Sequence, residues 1–237
     1  MKLTIYAMIP ARIGSQRLKY KNLALVNKKP LIYYAINSAK KSRIFTKIFI
    51  NSDNKIFKKI AKKYKINFYL RPKHLGKPNV KSDMVVDDFM KKNYSDICVW
   101  VNPIAPLQSH TEIKKIVKFF IKKKLNSLIT VVNKQVHFIY NKRPINFNIN
   151  KKFDRTQDLK KVQEMVYSLM MWKTSSFLTS MTKKKRAILH GKYDYYPVSK
   201  LSSFIVKNSE DLKLIESIIK SKKLNKIYYH EIVKSLK

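Results

Sequence analysis

The chain reads as an α/β protein built on a doubly wound, mostly parallel sheet. Three observations predict this. A short apolar run at residues 3–9 opens the chain as a strand. Strand and helix patterns then alternate through residue 132, the mark of repeated βα units. The loop directly after the first strand gathers Arg12, Arg17, Lys19 and Lys21 around a lone Gly14 and Ser15, and no acid occurs before Asp53. A cationic loop leaving the C-terminal end of a first parallel strand is where α/β proteins bind phosphates.

The elements follow in order. After the strand at 3–9, Pro30 suits the first turn of a helix over 31–41. Residues 47–51 form a strand. Ile56, Phe57, Ile60 and Ala61 recur at helical spacing in a helix over 54–64. Residues 66–70 return as a strand. Ser82 is placed to cap a helix running to about residue 92, with Asp83 in its first turn. A strand at 97–101, a helix at 112–123 and a strand at 128–132 complete the regular part. Residues 133–165 are polar and irregular, rich in Asn and interrupted by Pro144. A strand resumes at 166–172, then a weak helix at 175–181, a basic turn at 183–186, a short strand at 204–206 and a capped helix at 209–220 with Asp211 early.

Composition narrows the function classes. A chain of 237 residues suffices for one domain with a sizeable core. No apolar run approaches the ~18 residues of a membrane span, and the apolar N-terminal stretch reads as a buried strand before it reads as a signal peptide. The single cysteine, Cys98, lies in an apolar run; it forms no internal disulfide and is expected in the core. Cytoplasmic residence is the default. The net charge of +38 invites a nucleic-acid reading, but it is made of 45 lysines and only seven arginines, beside just 3 glycines. That skew follows A/T-rich codons. The lysines, such as Lys58, Lys59, Lys62, Lys63, Lys114, Lys115 and Lys118, scatter over helix surfaces as solvated faces do. Low-salt adsorption to polyanions is expected, but no specific nucleic-acid partner. The five histidines have no zinc spacing. Walker A, dinucleotide and Gly-x-Ser-x-Gly elements are missing.

The segment Ile9-Pro10-Ala11-Arg12 through Gly14-Ser15 to Lys21-Asn22 resembles the signature of the CMP-sialic acid synthetases. Ile13 stands where a second glycine is common there, and Gln16 where a lysine is common. The resemblance continues in order to about residue 220: Asn51-Ser52-Asp53-Asn54, Arg71-Pro72 followed by Ser82, Asn102-Pro103-Ile104-Ala105-Pro106-Leu107-Gln108, and Arg155-Thr156-Gln157-Asp158-Leu159. It implies a Rossmann-like nucleotidyltransferase domain over 1–237 with a small dimerisation insertion at 134–172. It also implies transfer of CMP from CTP to an acidic ulosonic sugar, a homodimer, and Mg²⁺ as cofactor.

Residue by residue, the resemblance places Arg12 and Lys21 at the triphosphate as catalytic cations, a rigid fork and a mobile point charge. Ala11, Gly14, Ser15 and Arg17 would complete the nucleotide loop. Asn22 and Arg71, with backbone groups near Ser82, would read cytosine; the alternatives are a turn residue and a surface cation before Pro72. Asp53 either caps the helix starting near Asn54 or meets substrate. Asn102, Gln108, Arg155 and Gln157 fall on the sugar side, the last two facing either the sugar or a dimer partner.

The departures carry as much information. Aligning Glu210-Asp211-Leu212 puts Ile205 and Lys207 where the resembled family holds Mg²⁺ with two aspartates. Neither residue ligates Mg²⁺. Asp53, Asp83, Asp87 and Asp88 are the remaining candidates, and Lys207 is either a stand-in charge or an exposed lysine. On the sugar side Ile104-Ala105 replaces Thr-Ser, Asn102 a glutamine, Gln108 an arginine, and Val166-Tyr167-Ser168 an Asn-Gly-Ala element. Two other readings stay open: a nucleotide-binding homologue without turnover, and a basic nucleic-acid-binding protein.

Overall fold

The computed structural model describes residues 3–221. The elements are β1 (Ile5–Pro10), β2 (Leu25–Val26), β3 (Lys29–Pro30), α1 (Leu31–Ser42), β4 (Lys47–Ser52), α2 (Ile56–Lys63), β5 (Asn67–Leu70), α3 (Ser82–Lys92), β6 (Ile97–Val101), α4 (His110–Lys122), β7 (Ser127–Lys134), β8 (Ile139–Tyr140), β9 (Arg143–Pro144), β10 (Val162–Lys173), α5 (Thr174–Lys184), β11 (Tyr193–Pro197) and α6 (Ser209–Ser221). Seven strands form the central sheet in the order β11-β7-β10-β6-β1-β4-β5. All pairings are parallel except those of β10, which runs antiparallel between β6 and β7.

Period-two alternation assigns each strand's side chains to one of two cores. Ile5, Ala7 and Ile9 of β1, with Ile97, Val99 and Val101 of β6, pack on Ile32, Ile36, Phe57, Ile113 and Ile116 of α1, α2 and α4. Met8, Cys98, Met170 and Trp172 point the other way, onto Val86, Phe89 and Met90 of α3 and Phe177 of α5. The sheet is thus covered on both faces, as a mainly parallel sheet requires. Trp172 is fully buried and still satisfies its ring N–H, which donates to the Ile188 carbonyl at 2.9 Å. A third, smaller core joins Ile215 of α6 to Val26, Leu31, Leu107 and Val206.

Three expectations are corrected. Ser82 does not cap α3: Lys81 holds the N-cap position without a side-chain bond, and Ser82 is the first helical residue. Residues 204–206 are not a strand, because Leu201–Ser203 turn as a 3₁₀ helix and Val206 makes one ladder-like bond, N–H to the Ile104 carbonyl at 2.8 Å. The last strand of the sheet is instead β11, a tyrosine-rich run ending in Pro197 that tolerates proline because it is an edge strand. Lys183 and Lys184 belong to α5; the turn begins at Lys185, with φ 58°. Where α6 begins, Asn208 and Asp211 exchange bonds as a capping pair: the Asn208 oxygen accepts from Asp211 N–H at 2.9 Å, and the Asp211 carboxylate accepts from Asn208 N–H at 3.0 Å.

Candidate functional site

β1, β4, β5 and β6 run in one direction, so their C-terminal ends share one edge of the sheet. The cationic loop leaves β1 there and is tied down from below. Ala11, fully buried, donates its N–H to the Asn51 carbonyl at 2.9 Å. Ile13 donates its N–H to the Asp53 carboxylate at 3.1 Å. The same carboxylate stands 3.8 Å from the Arg71 guanidinium beyond β5. Asp53 therefore caps nothing; Asn54 accepts from Ile56 N–H at the start of α2. Asp53 clamps the loop and Arg71 together. Gly76 makes the clamp possible, because a Cβ at this position would lie 2.6 Å from the Asp53 carboxyl carbon. Sequence reading passed Gly76 over; its rarity, one of 3 glycines, was the available signal.

Above this clamp lies an open cleft of about 300 Å³. Four cations line it, Arg12, Lys21, Arg71 and Lys77, together with Asn22, Asn102, Ser82, Trp100 and a rim of aliphatic and proline side chains. Among the described residues no carboxylate does. Asn22 and Arg71 are only 5% and 4% exposed. Asn22 donates from its amide nitrogen to the Arg12 carbonyl at 3.4 Å, but its amide oxygen has no partner. Arg71 Nε and Trp100 Nε1 are equally unmet. Unpaired buried polar atoms cost about 1–3 kcal/mol each. All three atoms belong to residues that line one cleft, and an acceptor and donors gathered in one wall suit a planar polar ligand.

The charges tell the same story. Burial lowers the Lys21 pKa below its usual 10.5, Arg17 and Arg12 lower it further, and Asp211 opposes them. Burial likewise lowers the Arg71 pKa, with Asp53 opposing and Arg12 adding to the shift. Cations crowded against one another pay for this in the empty protein, and a bound polyanion relieves it. Lys21 is held by a bond from Nζ to the Val206 carbonyl at 3.1 Å. Arg17 and Gly14 are exposed on the loop, Ser15 is half-buried, and a Cβ at Gly14 would meet nothing within 4 Å. Any need for glycine there comes from a ligand, not from the fold.

The sugar-side residues are dispersed. Asn102 lines the cleft and reaches β10, its amide donating to the Tyr167 carbonyl at 3.1 Å. Tyr167 occupies a break in the β10–β7 register, with φ 52°. Gln108 is buried outside the cleft lining, its amide nitrogen bonded to Glu112 of α4. Arg155 and Gln157 lie on the exposed segment before β10. The first pairs with Asp158 at 2.7 Å, and the second accepts from Gln135 through its backbone carbonyl at 2.8 Å.

The carboxylates do not assemble a Mg²⁺ site. Asp83 accepts from the N–H groups of Ala187 and Ile188, Asp87 pairs with Lys91, and Asp88 accepts from the Tyr69 hydroxyl. Among the described residues no three His, Cys, Asp or Glu side chains converge. Ile205 and Lys207 flank Val206, whose carbonyl holds Lys21, so the position that the resemblance gives to metal ligands carries a hydrocarbon and a cation. The donor set does not fit the ion, which takes one or two carboxylates beside substrate phosphates.

Residues 6–234 match the profile of the family described as Cytidylyltransferase. The chain belongs to the cytidylyltransferase family. It is 26% identical over 232 residues to the Post-translational flagellin modification protein B of Campylobacter coli, covering 93% of this chain and 97% of that protein. It is 31% identical over 122 residues to an N-acylneuraminate cytidylyltransferase of Escherichia coli O18:K1:H7 (strain RS218 / NMEC). That match takes in 51% of this chain and 29% of the longer protein, so the chain spans under a third of this curated relative. Among solved structures, a CMP:2-keto-3-deoxy-manno-octonic acid synthetase complexed with CTP superposes with a TM-score of 0.70 at 13% identity, over 93% of this chain and 100% of that one. The likeness is one of fold and bears out the Rossmann-like nucleotidyltransferase architecture. No helix of this cytidylyltransferase, among the described residues, is long and apolar enough to cross a membrane.

Proposed function

We propose that this cytidylyltransferase transfers CMP from CTP to an acidic ulosonic, sialic-acid-like sugar and releases pyrophosphate. One observation carries the reading. The unmet Asn22 oxygen and Arg71 Nε sit in the same cleft as Arg12 and Lys21, so a site for a base with donor and acceptor edges adjoins a site for phosphates. In the reaction the sugar's anomeric hydroxyl oxygen bonds to the α-phosphorus. The bond from that phosphorus to the β-phosphate oxygen breaks, pyrophosphate leaves with the electron pair, and the hydroxyl proton passes to solvent. Arg12 and Lys21 stabilise the charge that builds on the phosphoryl oxygens. On this reading the sugar would lie beside Asn102, Pro103 and Ile104, which line one part of the cleft. The single Cys98, fully buried, fits a reducing cytoplasm.

The reading includes a homodimer. Ile139, Tyr140, Ile149 and Phe153 are 65–74% exposed on the segment between β7 and β10. Such a group of apolar side chains on one surface arm is what a second copy would cover.

Pyrophosphate release from CTP, measured with a panel of sialic, legionaminic, pseudaminic and octulosonic acids, tests the reading. One productive sugar establishes the activity. Arg12→Ala should then lower kcat about a hundredfold to a thousandfold while leaving the unfolding midpoint unchanged. Unchanged turnover in that variant would sink the assignment. CTP binding without turnover on any sugar would favour the alternative of a non-catalytic homologue, which the burial of Gln108 away from the cleft already supports.

A further inference from the structure

We propose that this cytidylyltransferase takes up its nucleoside triphosphate as the metal-free anion, with Arg12, Lys21 and Lys77 neutralising the phosphates and Lys207, next in sequence to the residue that holds Lys21, adding positive charge. The inference rests on the CTP reading above and concerns the ionic form of the ligand.

Among the described residues the cleft lining holds four cations and no carboxylate. Mg²⁺ keeps several waters and is held to a protein through one or two carboxylates besides the phosphates it bridges. None of those protein ligands lines this cleft.

The acids whose charge is felt at Lys21 and Arg71 are spent elsewhere, Asp88 on the Tyr69 hydroxyl. Asp53 accepts from Ile13 N–H and faces Arg71, and both contacts hold the loop that carries Arg12. Asp211 accepts two backbone N–H groups, from Lys207 at 2.7 Å and Asn208 at 3.0 Å, and so fixes the turn into α6. Recruiting either acid to an ion would undo the structure that presents the cations.

Charge balance favours the same ligand. A nucleoside triphosphate with Mg²⁺ carries two fewer negative charges than the free anion. Cations that repel one another, as Arg12, Arg17 and Lys21 do here, gain most from the ligand with the most negative charge. Lys207 strengthens the bias. It is exposed, and its backbone adjoins the Val206 carbonyl that anchors Lys21. An acid at this position would favour an ion, whereas an ammonium repels one.

The test is calorimetric titration of CTP into the full chain, once in EDTA and once in excess Mg²⁺. Binding in EDTA is expected to equal or exceed that in Mg²⁺. Lys207→Asp should weaken binding in EDTA by about fivefold and turn the preference toward Mg²⁺. Tightening of the parent protein by Mg²⁺ of about tenfold or more overturns the inference while leaving the CTP reading in place. Lys207→Asp binding the metal-free anion as well as the parent removes Lys207 from it. Binding of CTP in neither buffer, by protein shown to be folded, strikes the CTP reading itself and this inference with it.

Discussion

The floor of the cleft and the arm between β7 and β10 are held together in opposite ways. In the floor, partners come from far apart in the chain: Ile13 and Asp53 are separated by 40 residues, Lys21 and Val206 by 185. Arg71 and Asn22 are buried and keep polar atoms unmet. In the arm the contacts stay within it. Arg155 pairs with Asp158, Asn146 ties Val136, Phe138 and Lys160, and His137 stacks on Phe153 at 4.1 Å. Ile139, Tyr140, Ile145, Ile149 and Phe153 stay exposed, while Leu159 is buried. A region whose polar groups are buried but unsatisfied is built for a small polar ligand. A region whose polar groups bond mostly to one another, the buried His137 Nε2 excepted, and which leaves several large apolar side chains exposed is built for another surface.

The strongest way to break this contrast is to make one substitution in both places. Arg71→Met leaves Asp53 with its 12% exposed side chain and no guanidinium. Removing one partner of a buried pair costs about 3–5 kcal/mol, and the 3.8 Å separation puts this case near 3 kcal/mol. Arg155→Met removes a pair exposed at both ends and should cost less than about 0.5 kcal/mol. Urea unfolding midpoints at constant m measure both. Equal losses would mean that Arg71 is no more structural than an exposed arm cation.

Gly76→Ala acts on the same floor without touching a charge. The added methyl meets the Asp53 carboxyl group and must displace it, at about 2 kcal/mol by the usual cost of overpacking. Since Asp53 holds Ile13 N–H, the loop should loosen and CTP affinity fall together with stability. A stable Gly76→Ala protein with parental CTP affinity would show that the loop does not need the clamp.

Asn22→Leu separates binding from folding. The variant removes an unpaired buried oxygen and sacrifices only a 3.4 Å bond to the Arg12 carbonyl. Stability should hold or rise slightly, since an unmet polar group is lost. CTP affinity should fall about tenfold, with weaker discrimination against UTP. A loss of stability with unchanged CTP binding would return Asn22 to the role of a turn residue.

The same contrast explains what could be read beforehand. Arg12, Lys21, Asn22, Arg71 and Ser82 stand out in sequence because cations, an amide and a hydroxyl follow successive strands, and parallel strands end at one edge. The helices over α1 to α4 were legible because apolar spacing and burial coincide there. The clamp was not. Asp53 reads locally as a helix cap, and only the fold brings it to Ile13 and Gly76. β11 was missed because Asp194 and Pro197 argue against a strand, and an edge position excuses both. Gln108 looked like a sugar contact because it ends a motif, yet the turn after β6 buries its side chain against Glu112.

A small predicted effect tests where the sugar side was altered. Tyr167 sits at φ 52°, a left-handed conformation that costs a non-glycine residue about 1–2 kcal/mol. Around it the sheet is well satisfied: Thr130 Oγ1 accepts from Leu169 N–H at 3.0 Å and lies 3.0 Å from Ser168 Oγ. The break in β10 is therefore imposed by its neighbours rather than chosen by tyrosine, and the resembled family has glycine in the matching element. Tyr167→Gly should stabilise the protein, less the entropy that glycine adds to the unfolded chain, by up to about 1 kcal/mol. For a chain of this length that is a Tm rise of ~2–4 °C. CTP binding should not change, because Tyr167 does not line the cleft. A lower Tm would mean that the half-exposed ring contributes more than its backbone costs, and the bulge would then be a feature that this sequence has adapted to tyrosine.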